Sequence, residues 1–155
     1  MPIPNHNKSA SISAEMRVLY IDDDRVNGLL FRETCRLAGG VELENVLTGQ
    51  EAMELVTNWR PDLLVIDLHL PDTDGYKLLA VLRGLLGAPS VPAILCTADE
   101  AALVEAPARS AGFDGCWTKP VEVKAVIDEL RRRQTEHQLS AASAAEVSWA
   151  PGAQP

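Results

Sequence analysis

Four apolar runs in this chain stop at residues able to do chemistry. Val18-Leu19-Tyr20-Ile21 ends in Asp22-Asp23-Asp24, and Leu63-Leu64-Val65-Ile66 ends in Asp67. Ala93-Ile94-Leu95-Cys96 ends in Thr97, and Gly115-Cys116-Trp117-Thr118 leads into Lys119-Pro120. If these runs are neighbouring strands, Asp22, Asp23 and Asp67 meet at one rim, where three carboxylates cannot all stay ionised unpaired. A hard cation resolves the conflict. Mg²⁺ suits the place because it takes a few carboxylates and keeps positions open for water and phosphate oxygens. Thr97 adds a hydroxyl and Lys119 a point cation, so the site can hold a phosphoryl group. Asp67 then serves as nucleophile, attacking phosphorus in line while Mg²⁺ and Lys119 neutralise the equatorial oxygens, and the product is an acyl phosphate. Singly, an Asp at a strand end is usually a turn or cap residue and Lys-Pro a helix start. Their joint position at strand ends is what argues for chemistry.

The elements that would position these residues follow from hydrophobic pattern. The run before Asp67 has the continuous apolar character of a parallel strand covered on both faces, and its carboxyl end is where open α/β sheets bind ligands. Pro71 and Gly75 force a loop over Asp67. A helix after Asp24 carries Val26, Leu29, Leu30 and Leu37 near one face and stops at Gly39-Gly40. Val41 to Leu47 reads as a strand towards an edge. Thr48-Gly49-Gln50-Glu51 has the form of a capping box, opening a helix with Ala52, Leu55, Val56 and Trp59 as its inward stripe. A helix after Gly75 places Leu78, Leu82 and Leu85 on one side. Residues 99 to 111 look helical with Pro107 inside; interior proline costs ~3 kcal/mol, so this helix is kinked or starts late with Pro107 in its first turn. Val123, Val126, Ile127 and Leu130 give the last helix its apolar face. Five strands alternating with five helices predict an α/β fold, a (βα)5 doubly wound parallel sheet with helices on both faces. Right-handed crossovers put the strand ends on one rim. Residues 1–15 read as a disordered arm or linker, and 134–155, rich in Ala, Ser and Pro, as a disordered tail in which Trp149 is an isolated exposed side chain.

Composition limits the alternatives. The chain has 155 residues, 46% apolar and 23% charged, as expected of one soluble domain. Its net charge of −8 argues against nonspecific nucleic-acid binding. The basic run Arg131-Arg132-Arg133 reads as cations at a helix C-terminus. No apolar run approaches the roughly 20 residues that span a bilayer. The start lacks an apolar segment of the secretory type, which together with the cysteine usage gives a cytoplasmic expectation. Cys35, Cys96 and Cys116 lack CxxC spacing and read as reduced core thiols. His6, His69 and His137 are too scattered for zinc.

Val18–Asn27 (VLYIDDDRVN), Asp67–Gly75 (DLHLPDTDG), Cys96-Thr97-Ala98 and Thr118-Lys119-Pro120 resemble the receiver domain of two-component response regulators. The resemblance spans about residues 16 to 133, with all motifs in order, and is greatest to single-domain regulators and to receivers of hybrid sensor histidine kinases. It implies a flavodoxin-like strand order 2-1-3-4-5, with Asp67 accepting a phosphoryl group from a phosphohistidine on a sensor histidine kinase or histidine phosphotransfer protein. Asp23, Asp67 and the backbone carbonyl of His69 would bind Mg²⁺ directly and Asp22 through a water. Thr97 and Lys119 would contact the phosphoryl oxygens, and Lys119-Pro120 would be cis. His69 and Asp99 occupy positions associated with dephosphorylation rate. The domain would act by switching a downstream protein partner, and a homodimer through the last helix is a common habit of the family.

Two positions depart from the family pattern. Cys116 stands where receivers usually carry an aromatic switch residue, and the neighbouring Trp117 points to the opposite face of its strand. Pro107 lies in a helix that normally forms part of the signalling face. Phosphorylation is therefore expected to be intact and its relayed change altered. Two other readings compete with this one. In a haloacid-dehalogenase-type phosphatase Asp22-Asp23-Asp24-Arg25-Val26 would be the nucleophile motif, but only 36 residues follow Lys119, without the later acidic strand, and Asp67 has no task. A receiver-like adaptor without phosphorylation would leave all five chemical positions idle. The 22 residues after Arg133 are too few for a folded effector domain, so the expectation is a stand-alone receiver or one excised from a larger hybrid kinase.

Overall fold

The computed structural model describes residues 15–153, with side chains as far as Ser140. Strands β1 (Met16–Ile21), β2 (Val41–Val46), β3 (Leu63–Asp67), β4 (Ala93–Thr97) and β5 (Gly115–Thr118) alternate with helices α1 (Arg25–Ala38), α2 (Gly49–Leu55), α3 (Gly75–Leu86), α4 (Ala101–Ala111) and α5 (Val123–Ala153). The strands form one parallel sheet in the order β2-β1-β3-β4-β5, as expected. Every residue of β3 and β4 is buried, whereas the edge strands β2 and β5 are only partly so. Ile21 pairs with Ile66, Asp67 with Cys96, and Thr97 with Thr118. The carboxyl ends of β1, β3, β4 and β5 thus lie side by side.

Alternation along the strands sorts the core into two layers. Leu19, Ile21, Leu64, Ile66 and Leu95 pack on one face with Ala52 of α2, Leu78, Leu79 and Leu82 of α3 and Val104 of α4. Val18, Tyr20, Leu63, Val65, Ile94 and Cys96 pack on the other with Phe31 and Cys35 of α1 and Val126 and Leu130 of α5. Each fully buried Leu or Ile contributes about 1.5–3 kcal/mol. The capping box forms with a shifted partner: Thr48 Oγ1 accepts from the Glu51 N–H at 3.0 Å, and Glu51 reaches back to the Leu47 N–H at 2.7 Å. Cys35, Cys96 and Cys116 are free thiols. Among the described residues no helix is long and apolar enough to cross a membrane.

Several expectations are corrected. Val26, Leu29, Leu30 and Leu37 lie on the outside of α1, each more than half exposed, and the buried face is Gly28, Phe31, Thr34 and Cys35. Phe31 decides the matter by stacking on Tyr20, ring centroids 4.3 Å apart. On α3 Leu85 is exposed and Leu79 buried in its place, and Val123 on α5 is exposed. Trp59 packs against the core from beyond the end of α2. Pro107 lies well inside α4, on its exposed side, so the helix does not start late.

The largest correction is at the C-terminal end, where α5 continues through the expected tail to Ala153. Alanine has the highest helix propensity, and missing apolar periodicity signals missing packing rather than missing helix. Arg131-Arg132-Arg133 therefore stand within a helix, where Arg132 pairs with Glu129 and Glu136 and Arg133 with Glu129. Gln134 donates to the Gly39 carbonyl at 2.6 Å, and His137 lies 3.7 Å from Asp62. The arm expected over residues 1–15 lies outside the described residues apart from Glu15, as does the Trp149 side chain.

Candidate functional site

Asp22 follows directly on β1 and is almost fully buried, a position only a fully hydrogen-bonded carboxylate tolerates. Its Oδ2 accepts from Tyr20 O–H at 2.8 Å, Lys119 Nζ at 2.9 Å and Asn27 Nδ2 at 3.2 Å, and its Oδ1 from the Asp24 N–H at 2.9 Å. Asp24 caps α1 through the Val26 and Asn27 N–H groups. Asp23, between them, faces solvent. Asp67 closes β3, 6% exposed, with its Oδ1 3.5 Å from Lys119 Nζ. One carboxylate oxygen from each of Asp22, Asp23 and Asp67 lies within 4.8 Å of the others. That separation and all-oxygen chemistry fit a hard divalent cation.

The charges are set by opposing effects. Burial, then the Asp22 charge, pushes the Asp67 carboxyl up to about 6 against the pull of Lys119 and the His69 N–H. Burial also disfavours the Asp22 carboxylate, but the Asp24 N–H, Lys119 and Tyr20 outweigh it and hold the group below its ordinary range. For Lys119 burial works against the ammonium, while hydrogen bonding to Asp22 and the Asp67 charge hold its pKa above the usual value. Burial raises Tyr20, keeping its hydroxyl a donor, and pushes the Cys96 thiol up to about 12.

Thr97 ends β4 fully buried; its Oγ1 accepts from the Asp99 N–H at 3.1 Å and its carbonyl from the Lys119 N–H at 2.7 Å. His69 Nε2 meets Asp99 Oδ2 at 2.9 Å on the solvent side. The Lys119-Pro120 bond is cis. Over Asp67 the loop turns tightly: the Gly75 N–H donates to Leu68 O at 2.8 Å, and a Cβ on Gly75 would lie 2.9 Å from Asp67 O. Asp74 caps α3 at the Lys77 N–H. Asp22, Asp23, Asp67 and Lys119 are thus brought together, with Thr97, Asp99 and His69 along the same rim. Pro107 is apart from them on the outer side of α4. Cys116 packs against the α2–α4 layer and Trp117 against the α1–α5 layer, on opposite faces as alternation requires. Sequence reasoning missed Tyr20 and Asn27 as partners of Asp22, although both lie in the VLYIDDDRVN stretch. Tyr20, two residues from Asp22 in an otherwise aliphatic strand, was the available signal.

Comparison with known proteins agrees with this arrangement. Residues 18–131 match the response regulator receiver domain, and the chain belongs to that family of two-component signalling domains. It is 32% identical over 117 residues to the response regulator MprA of Mycobacterium leprae (strain TN), covering 75% of this chain and 50% of that protein. With MprA of Mycobacterium tuberculosis (strain ATCC 25618 / H37Rv) identity is 30% over 135 residues, covering 84% and 56%. The chain spans about half the length of these curated relatives. Among solved structures, the CheY-like receiver domain protein of Methanospirillum hungatei JF-1 superposes with a TM-score of 0.71 at 24% identity, over 81% of this chain and 98% of that one. The receiver domain of sensor histidine kinase PA1611 from Pseudomonas aeruginosa PAO1, solved with magnesium in its active-site cleft, gives 0.69 at 24%, over 79% and 99%. At these identities the structural likeness is one of fold. Receiver domains are signalling domains rather than enzymes with turnover, and response regulators interact with histidine kinases and downstream targets.

Proposed function

We propose that this chain is the phosphoacceptor of a phosphorelay, in which Asp67 takes a phosphoryl group from a phosphohistidine on a sensor histidine kinase or a histidine phosphotransfer protein. The observation that carries this reading is the position of Lys119 Nζ, 2.9 Å from Asp22 and 3.5 Å from Asp67, inside a cluster of three carboxylates. Asp23, Asp67 and the His69 carbonyl would hold Mg²⁺ directly. Asp22, whose oxygens already accept four hydrogen bonds, would act through a water. The magnesium in the PA1611 receiver supports the same choice of cation. When bound, the cation supplies positive charge that lets a carboxylate approach phosphate oxygens.

Asp67 contributes the nucleophilic oxygen: an O–P bond forms while the P–N bond of phosphohistidine breaks, and its electron pair returns to the imidazole nitrogen. With its pKa near 6, Asp67 is mainly ionised at neutral pH, as attack requires. Lys119 places its ammonium against the phosphoryl oxygens and Thr97 donates its hydroxyl to one of them. The chain promotes only its own phosphorylation and dephosphorylation, with His69 and Asp99 at the mouth of the site setting the lifetime. Residues 16–133 form the module, which works in the cytoplasm. Phosphorylation alters the α4–β5 face around Cys116, Trp117 and Pro107 and so the choice of downstream protein. Cys116, in place of an aromatic ring, changes how that signal is relayed.

Phosphate-affinity electrophoresis after incubation with acetyl phosphate tests the reading. Wild type with Mg²⁺ should give a retarded band that is absent in Asp67→Asn and absent without metal. Folded wild-type protein that gives no retarded band would instead be a constitutive adaptor.

A further inference from the structure

Asp72 lies outside the acidic cluster and takes no part in the chemistry above, yet it is not a free surface carboxylate. Its Oδ1 accepts from the Gly49 N–H and its Oδ2 from the Gln50 N–H, each at 2.9 Å. These donors open α2 and have no partner within the helix. The helix's own cap, Thr48, serves a different donor, the Glu51 N–H. So α2 is capped by two side chains, one of them reaching across from the loop that follows Asp67. Gly49 makes the approach sterically feasible: a Cβ there would meet Thr73 Cγ2 at 2.7 Å and Asp72 Oδ1 at 3.3 Å. The loop's other end is pinned by Gly75 against Asp67 and Leu68, and a turn closes between the Leu70 N–H and Thr73 O at 3.2 Å. The His69 backbone sits between the two anchors.

We infer that Asp72 is a positioning residue for the metal site: by capping α2 it clamps the loop 68–75 and holds the His69 carbonyl where it can join Asp23 and Asp67. The inference rests on the phosphoacceptor reading and adds a residue that touches neither metal nor phosphoryl group. A loop already ordered before the cation arrives does not have to be ordered by it. Residues that orient metal ligands in this way commonly account for 10–100-fold in affinity. A simple helix cap, by contrast, would contribute stability alone.

Thr48→Ala is the matched control, since it removes the other α2 cap without touching the loop. Two readouts apply to wild type, Asp72→Ala, Asp72→Asn and Thr48→Ala: calorimetric titration with MgCl2, and amide hydrogen exchange over residues 68–75 in the metal-free protein. Asp72→Ala should weaken Mg²⁺ binding about 10-fold and speed exchange at the Leu70 and Gly75 amides. Asp72→Asn, which keeps one acceptor oxygen, should fall between it and wild type, and Thr48→Ala should change neither readout. Equal losses in Asp72→Ala and Thr48→Ala, or unchanged affinity and loop exchange in Asp72→Ala, would overturn the inference. A wild type that takes up no Mg²⁺ would end the phosphoacceptor reading as well, and its own isotherm tells that failure apart.

Discussion

Around the ends of β1 and β5 both oxygens of Asp22 are engaged and Lys119 ties that carboxylate to Asp67, whereas past the end of β4 the side-chain contacts are few and exposed. Thr97 Oγ1 accepts one bond, from the Asp99 N–H. The His69–Asp99 pair sits in solvent. Helix α4 has Glu100 at its N-cap, makes no side-chain cap hydrogen bond there, and carries Pro107 in its interior. Cys116 borders an open cavity of about 160 Å³ between α4 and β5. The difference has a physical logic. On the phosphoacceptor reading proposed above, charges that would meet a phosphoryl group gain from being fixed beforehand, while a segment that would respond is drawn from the weakly held parts of a fold.

The contrast can be broken at its strongest point first. In metal-free protein Lys119→Ala leaves Asp22 and Asp67 confronting each other with no cation between them, and should lower stability in urea by about 3 kcal/mol. A loss near zero would mean that the carboxylates relax into solvent and the tight half is not tight. Next comes Asp67 itself, whose folded pKa of about 6 stands above its unfolded value. The folded state holds this proton more tightly than the unfolded chain, so the associated stability is present at acid pH and is lost as pH rises towards 6. Asp67→Asn should therefore exceed wild type at pH 7 without Mg²⁺ by up to about 3 kcal/mol, and lose most of that margin near pH 4. Asp22, held low, contributes with the opposite sign in both proteins and largely cancels. Parallel pH–stability curves would place the raised pKa elsewhere. The smallest effect belongs to the loose half: Asp99→Asn, removing an exposed pair, should shift the melting free energy by no more than about 0.5 kcal/mol. A drop comparable to that of Lys119→Ala would erase the distinction.

The strand ends were legible because a buried parallel strand leaves one pattern, a continuous apolar run, and the residue at its close is then conspicuous. Asp22, Asp67, Thr97 and Lys119 were all found that way. The inner face of α1 was not, because that helix is apolar on two sides and periodicity cannot say which one meets the sheet. Phe31 against Tyr20, and Gly28 beneath the Asn45 side chain, decide it, and both are contacts between distant parts of the chain. Asp72 on α2 was missed for the same reason, since a hydrogen bond across the fold leaves no local trace. Tyr20 and Asn27, by contrast, stand within five residues of Asp22 and were hidden only by the apolar run that a buried strand and its following helix share. The length of α5 was misread because the chain past Arg133 lacks the apolar stripe that signals a packed helix, although its alanines favour the helical backbone.

The outer stripe of α1 has a thermodynamic consequence. Val26, Leu29, Leu30 and Leu37 keep their hydration in the folded protein, so burial of this stripe would contribute a negative heat capacity of association that grows with the apolar area covered. An encounter confined to the carboxylates and Lys119 would lack that contribution and would weaken with salt instead. Temperature and ionic strength thus separate two modes of contact on neighbouring surfaces of one small domain.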